Sequence, residues 1–203
     1  MKTGVILARF QPIHNGHMEL IKKASFENDQ LYIFVGSADK FNKRNPIPIS
    51  TRMDLVKKSI VKEFGFSSGT GDINNIDDVD SELQYFNIHI VPLDDLDDET
   101  NNTHEWGFYL YSKIVTATHE PNFTMYYSDG FEIITTWFPG FILRNNISLS
   151  LLARNSIEGG VSATSVRKLI VDGDDEKLKK VVPGYVFERR GHIKSLIELS
   201  EKV

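Results

Sequence analysis

Gly4-Val5-Ile6-Leu7-Ala8 is an uninterrupted apolar run, and a helical pattern, Met18-Glu19-Leu20-Ile21-Lys22-Lys23-Ala24, follows it after a short polar segment. The same succession recurs along the chain. Leu31-Tyr32-Ile33-Phe34-Val35, Asn87-Ile88-His89-Ile90-Val91 and Phe123-Thr124-Met125-Tyr126-Tyr127 read as further strands, with helices over 17–26, 51–64, 105–118 and 162–171. In 51–64, Met53, Val56, Ile60 and Phe64 share one face. Strands that are apolar on both faces and alternate with helices require cover on both sides. The expected class is therefore α/β, a doubly wound parallel sheet with right-handed crossovers, binding ligand beyond the carboxyl ends of its strands.

A chain of 203 residues is expected to form a single domain over 1–203, with 172–203 as a helical C-terminal appendage. Pro183 is placed to start the last helical region and Gly191 to break it. Residues 67–82 are polar, with Gly69, Gly71 and several aspartates, and are expected to be a surface loop or insertion. A net charge of −5 argues against a nucleic-acid partner while leaving room for a local basic pocket. There is no cysteine, which excludes disulfides, thiolate metal sites and a Cys nucleophile. Arg9 interrupts the first apolar run at once, unlike a signal peptide, and no run approaches the roughly 20 residues needed to span a bilayer. A cytoplasmic protein without a membrane partner is expected.

The polar residues directly after each strand are the ones placed to meet ligand: 9–17, Gly36-Ser37-Ala38, Asp94-Asp95 and Ser128-Asp129-Gly130. Unpaired N–H groups and the helix dipole make a helix start an anion site. His14 and His17 lie three apart around Gly16 at such a start, where both rings can donate to a polyphosphate while Gly16 allows close backbone approach. Taken singly, each histidine is better explained as a surface or capping residue; the strand, turn and helix context reverses that preference. Near the other end, Ser162 is the N-cap of a helix on which Thr164 and Arg167 share a face. A guanidinium there suits the charge that develops on a leaving pyrophosphate. Gly69-Thr70-Gly71 lacks the third glycine of a dinucleotide fingerprint, no Gly-Lys-Ser/Thr phosphate loop exists, and His104-Glu105 lacks the second His of a zinc hydrolase.

Arg9-Phe10-Gln11-Pro12-Ile13-His14-Asn15-Gly16-His17 resembles the first signature of the nucleotidylyltransferase superfamily. It is most similar to the nicotinamide-mononucleotide (NMN) adenylyltransferases of archaeal and related bacterial type, many of which carry Gly where this chain has Ala8. Val161-Ser162-Ala163-Thr164-Ser165-Val166-Arg167 resembles the second signature, Ser-x-Thr-x-x-Arg. The resemblance implies the Rossmann-like nucleotidylyltransferase fold and transfer of AMP from ATP to NMN, giving NAD and pyrophosphate. It implies catalytic roles for His14, His17 and Arg167, and ATP binding by Arg9, Phe10, Gly16, Ser128, Ser162 and Thr164. NMN would be met by Gly36, Ser37, Arg44, Asp95 and Trp106. The fit is partial in places. Ile47-Pro48 replaces Phe-Thr after Arg44-Asn45-Pro46, Ser128-Asp129-Gly130 stands for Ser-Gly-Asn, and a one-residue slip before the long acidic stretch would substitute Asp94 for Asp95. Trp106 is equally explained as a core residue on a stripe with Leu110.

In the implied reaction the NMN phosphate is itself the nucleophile, so no side-chain base is needed. Mg2+ is expected to bridge ATP phosphates and water, with no protein metal site. Two alternatives remain: nucleotidyl transfer to phosphopantetheine, a flavin precursor or a phosphorylated alcohol, and a non-catalytic NMN- or NAD-sensing module. Intact His14, His17 and Arg167 argue against the sensor. The resemblance admits a homo-oligomer, and no residue pattern decides the assembly.

Overall fold

The computed structural model describes residues 1–65, 76–96, 104–128, 133–153 and 161–202. The first three strands are β1 (Thr3–Ala8), β2 (Gln30–Val35) and β3 (Ile88–Pro92), with α1 (Asn15–Glu27), α2 (Ile49–Phe64) and α3 (Ile76–Tyr85) between them. Then follow α4 (His104–Thr118), β4 (Phe123–Ser128), α5 (Ile134–Trp137), α6 (Gly140–Asn146) and β5 (Ile147–Leu152). The chain ends in α7 (Ala163–Asp172), α8 (Asp175–Val181), α9 (Gly184–Glu188) and α10 (Arg190–Ser200). All strand pairs are parallel, in the order β3-β2-β1-β4-β5.

The pleat sends successive residues to opposite faces, and each face builds its own core. Val5, Tyr32, Phe34 and Met125 pack with Trp106, Leu110 and Ile114 of α4 and with Trp137 and Ile142. Ile6, Leu31, Ile33 and Val35 pack with α1, α2 and the C-terminal helices. The doubly wound expectation is met, with differences in detail. Residues 76–85 form α3 rather than a loop: Val79 and Leu83 are buried, a narrow stripe in an acidic helix that its composition hides. Residues 66–75 lie outside the described set. The edge strand β5, with serines alternating along it, escaped detection because a half-polar edge lacks an apolar run. The C-terminal break falls at Arg189, whereas Gly191 lies within the first turn of α10. On α2 the buried residues include Arg52, Leu55, Val56, Ser59 and Ile60, while Met53 and Phe64 are only partly buried.

Arg52 has no exposed surface. Its Nε donates to the Ile47 carbonyl at 2.9 Å, Nη1 to those of Arg9 at 2.8 Å and Gly36 at 2.7 Å, and Nη2 to that of Ser37 at 2.8 Å. One rigid donor fork thus joins the exits of β1 and β2 to the start of α2. Both exits turn through left-handed backbone, at Phe10 (φ 49°) and Ser37 (φ 51°), a conformation unfavourable to residues with a Cβ. Gln11 adds a pair of bonds to Ile47, donating to its carbonyl at 3.2 Å and accepting its N–H at 2.9 Å. The third exit is tied in by Ala38 N–H to the Leu93 carbonyl, at 3.0 Å.

Two substitutions test this packing. Arg52→Met preserves bulk but strands the Arg9 and Gly36 carbonyls, each worth about 1–3 kcal/mol when buried without a donor, and leaves those of Ile47 and Ser37 with only Gln11 and the Lys40 N–H. Urea denaturation should show a loss of at least about 2 kcal/mol, and an unchanged midpoint would contradict the arrangement. At Gly107 an added Cβ would overlap the Trp137 carbonyl oxygen, where α4 meets α5. Gly107→Ala gains up to about 1 kcal/mol of helix propensity but incurs about 1–3 kcal/mol of overpacking. A lowered melting temperature is expected.

Candidate active site

Beyond the carboxyl ends of the strands lies a cavity of about 640 Å³. It opens where β1 and β4 diverge in connection, the switch point at which sheets of this kind bind ligand. The residues to which the resemblance gives catalytic, ATP-binding and NMN-binding roles all lie on its wall. Arg9, Phe10, His14, Gly16 and His17 come from the β1 exit and the start of α1. Gly36, Ser37 and Arg44 come from the β2 exit and its loop, Asp95 and Trp106 from beyond β3. Ser128 ends β4, and Ser162, Thr164 and Arg167 start α7. Asp94 is not on this wall; its carbonyl accepts the Tyr109 hydroxyl at 3.0 Å. Asp129, Gly130 and residues 97–103 lie outside the described set.

The Gln11–Pro12 bond is cis, and His14 caps α1. The His14 backbone N–H donates to His17 Nδ1 at 3.3 Å, so a neutral His17 carries its proton on Nε2. The two imidazoles stack with centroids 3.7 Å apart, and Phe10 backs His17 at 4.7 Å. Across the cavity, Ser162 accepts the Ser165 N–H at 3.1 Å as a helix cap. Arg167 reaches back to the first segment: Nη1 donates to the Gln11 carbonyl at 2.8 Å and Nη2 to Thr164 Oγ1 at 3.3 Å. The two sequence segments resembling signatures are therefore one wall, joined directly.

Cations crowd this wall. Burial first, then the charge of Arg9, pushes the Arg52 pKa down to about 10, still protonated at neutral pH. Arg9 is lowered by desolvation and by Arg44, and Arg167 by desolvation and by Arg9. An anion in the cavity would relieve all of these repulsions. On the opposite side, burial raises the Asp95 carboxyl above its ordinary range, opposed by the Ser37 hydroxyl, which donates to Oδ1 at 3.1 Å.

Three residues that shape the site were missed from sequence. Gln11 is 2% exposed and spends its amide on Ile47. Arg52 left a trace, since it stands four residues before Val56 and eight before Ile60 on the buried face. Trp137 lies on the cavity wall at 5% exposure, edge-on to Trp106 with ring centroids 6.0 Å apart. It left no trace, because α5 is only four residues long.

Comparison with known proteins agrees with this architecture. A nicotinamide-nucleotide adenylyltransferase of Thermococcus onnurineus is 27% identical over 211 residues, covering 99% of this chain and 93% of that protein. Its namesake from Picrophilus torridus is 27% identical over 186 residues, covering 88% and 83%. Among solved structures, a bifunctional NMN adenylyltransferase/ADP ribose pyrophosphatase from Francisella tularensis superposes with a TM-score of 0.64 at 16% identity, covering 98% of this chain and 52% of that one. A putative nicotinate-nucleotide adenylyltransferase from Vibrio parahaemolyticus gives 0.58 at 17% identity, covering 94% and 99%. At such identities the likeness concerns the fold. The model of the cytidylyltransferase-like family matches residues 5–168, from within β1 through Arg167, and on that match the chain belongs to this family.

Proposed function

We propose that this protein transfers the AMP moiety of ATP to NMN, forming NAD and pyrophosphate. The observation that carries the reading is the 2.8 Å bond from Arg167 to the Gln11 carbonyl, which makes one polyanion cradle from two distant segments. The relatives from Thermococcus onnurineus and Picrophilus torridus, named for this activity and matched over most of their length, support it.

An oxygen of the NMN 5′-phosphate attacks the α-phosphorus of ATP in line. The bond from that phosphorus to the bridging oxygen breaks, and pyrophosphate departs with the electron pair. The nucleophile is already ionised, so positioning and charge stabilisation supply the catalysis. His14, His17 and Arg167 hold the β- and γ-phosphates, where negative charge grows. Phe10, Gly16, Ser128, Ser162 and Thr164 receive ATP, and Arg9 faces its phosphates. Arg44 offsets the charge of NMN, whose nicotinamide lies against Trp106, with Gly36 and Ser37 beneath it and Asp95 accepting from its carboxamide.

Among the described residues no group of three or more His, Asp or Glu is placed to hold a metal ion. A divalent cation, expected to be Mg2+, would neutralise charge on the nucleotide phosphates. The Francisella tularensis structure, crystallised with AMP and a manganese ion, supports divalent metal use. Among the described residues no helix is long and apolar enough to cross a membrane, in keeping with a cytoplasmic enzyme.

The reading is tested by pyrophosphate release from ATP, Mg2+ and a panel of phosphorylated acceptors. Release with NMN, abolished by EDTA, is expected; release only with phosphopantetheine or a flavin precursor would overturn the acceptor. His17→Ala should lower kcat/KM at least about tenfold, since a bond to a charged group contributes about 1.5–3 kcal/mol. An unimpaired His17→Ala enzyme would remove that residue from the cradle.

A further inference from the structure

The exits of β2 and β3 are joined by a second device, on the acceptor side of the cavity. Ser37 Oγ donates to Asp95 Oδ1 at 3.1 Å, and the Asp95 backbone N–H donates to Asp39 Oδ1 at 3.0 Å. Asp95 is therefore gripped at both its side chain and its backbone. The other carboxylate oxygen of Asp39, Oδ2, pairs with Lys40 Nζ at 3.1 Å, and Lys40 lies on the cavity wall beside Ser37. Arg9 and Arg52 are further cations whose charge reaches Asp95.

We propose that Asp39 is the positioning residue that sets acceptor selectivity: it fixes Asp95 as an acceptor for a carboxamide and draws Lys40 away from a competing pyridine carboxylate. The inference rests on the proposed reaction and names the substrate within it, the nicotinamide rather than the nicotinate nucleotide. A carboxylate accepts but never donates, so Asp95 can bond an amide N–H2 and can only repel a carboxylate. A site built to bond a donor strongly rejects the analogue that lacks it. The like charge of Asp39 adds to that rejection, and its pairing with Lys40 occupies the nearby ammonium that could otherwise attract the acid.

Asp39→Asn separates charge from geometry. Its amide oxygen can still accept the Asp95 N–H, while its neutral side chain no longer pairs with Lys40. Asp39→Ala removes both. With NMN and nicotinic acid mononucleotide as alternative acceptors, the unaltered enzyme should favour NMN in kcat/KM by at least about tenfold. Asp39→Asn should narrow that ratio by about fivefold or more, chiefly through a lower KM for the acid, with the KM for ATP unchanged. Asp39→Ala should in addition raise the KM for NMN, because Asp95 loses its backbone anchor. An unchanged ratio in Asp39→Asn, or equal use of both acceptors by the unaltered enzyme, would overturn the inference while leaving the proposed reaction intact. Absence of turnover with either nucleotide would instead overturn the proposed reaction.

Discussion

The site depends on one buried cation held by backbone carbonyls. Arg52 places its guanidinium among four backbone carbonyls from three separate segments. Desolvating a cation is expensive, and here four carbonyl dipoles offset it, helped by the charges of Asp95 and Asp39. The geometry follows from that choice. A carboxylate partner would neutralise the centre, whereas carbonyls leave its positive field available beside Arg9. The same bonds hold Phe10 and Ser37 in left-handed backbone, so the walls of the cavity keep their shape before any ligand arrives.

Stability and function pull apart in this region. Arg9, Arg52 and Arg167 each lose proton affinity through burial and mutual repulsion, so their proximity weakens the folded chain. A polyphosphate reverses the sign of that interaction. Although the protein as a whole carries a net charge of −5, Arg9, Arg44 and Arg167 gather positive charge on the concave wall. Anionic nucleotides therefore meet favourable potential at the cavity. The β2 and β3 exits are of the opposite kind: Asp95 and Asp39 bring carboxylates to the cavity's other side, where the proposed reaction calls for recognition of a neutral amide.

Most of the sheet was legible because a strand covered on both faces is apolar on both faces, and β1, β2 and β4 show such runs. The helix starts at His14 and Ser162 were legible because unpaired N–H groups constrain which residues can precede a helix. The edge strand β5 and the acidic α3 were not, since each buries only a narrow stripe and its exposed residues dominate the local composition. Trp137 was illegible for another reason. Its place on the wall is set by α5 packing against Gly107 of α4, a contact no spacing along the chain encodes.

By itself the sequence determined the alternation of strands and helices, and hence a parallel sheet with its ligand at the carboxyl ends. It also determined which segments could bind phosphate, because strand, turn and helix start are local arrangements. Only the tertiary structure decided that Arg167 reaches Gln11, that Arg52 turns inward to carbonyls, and that Asp39 holds Asp95. Those pairings join residues far apart in the chain, and their partners are mostly backbone atoms. Every residue has the same carbonyl and nearly every one the same N–H, so the choice among them is made by the packing of the sheet and its helices, not by residue identity.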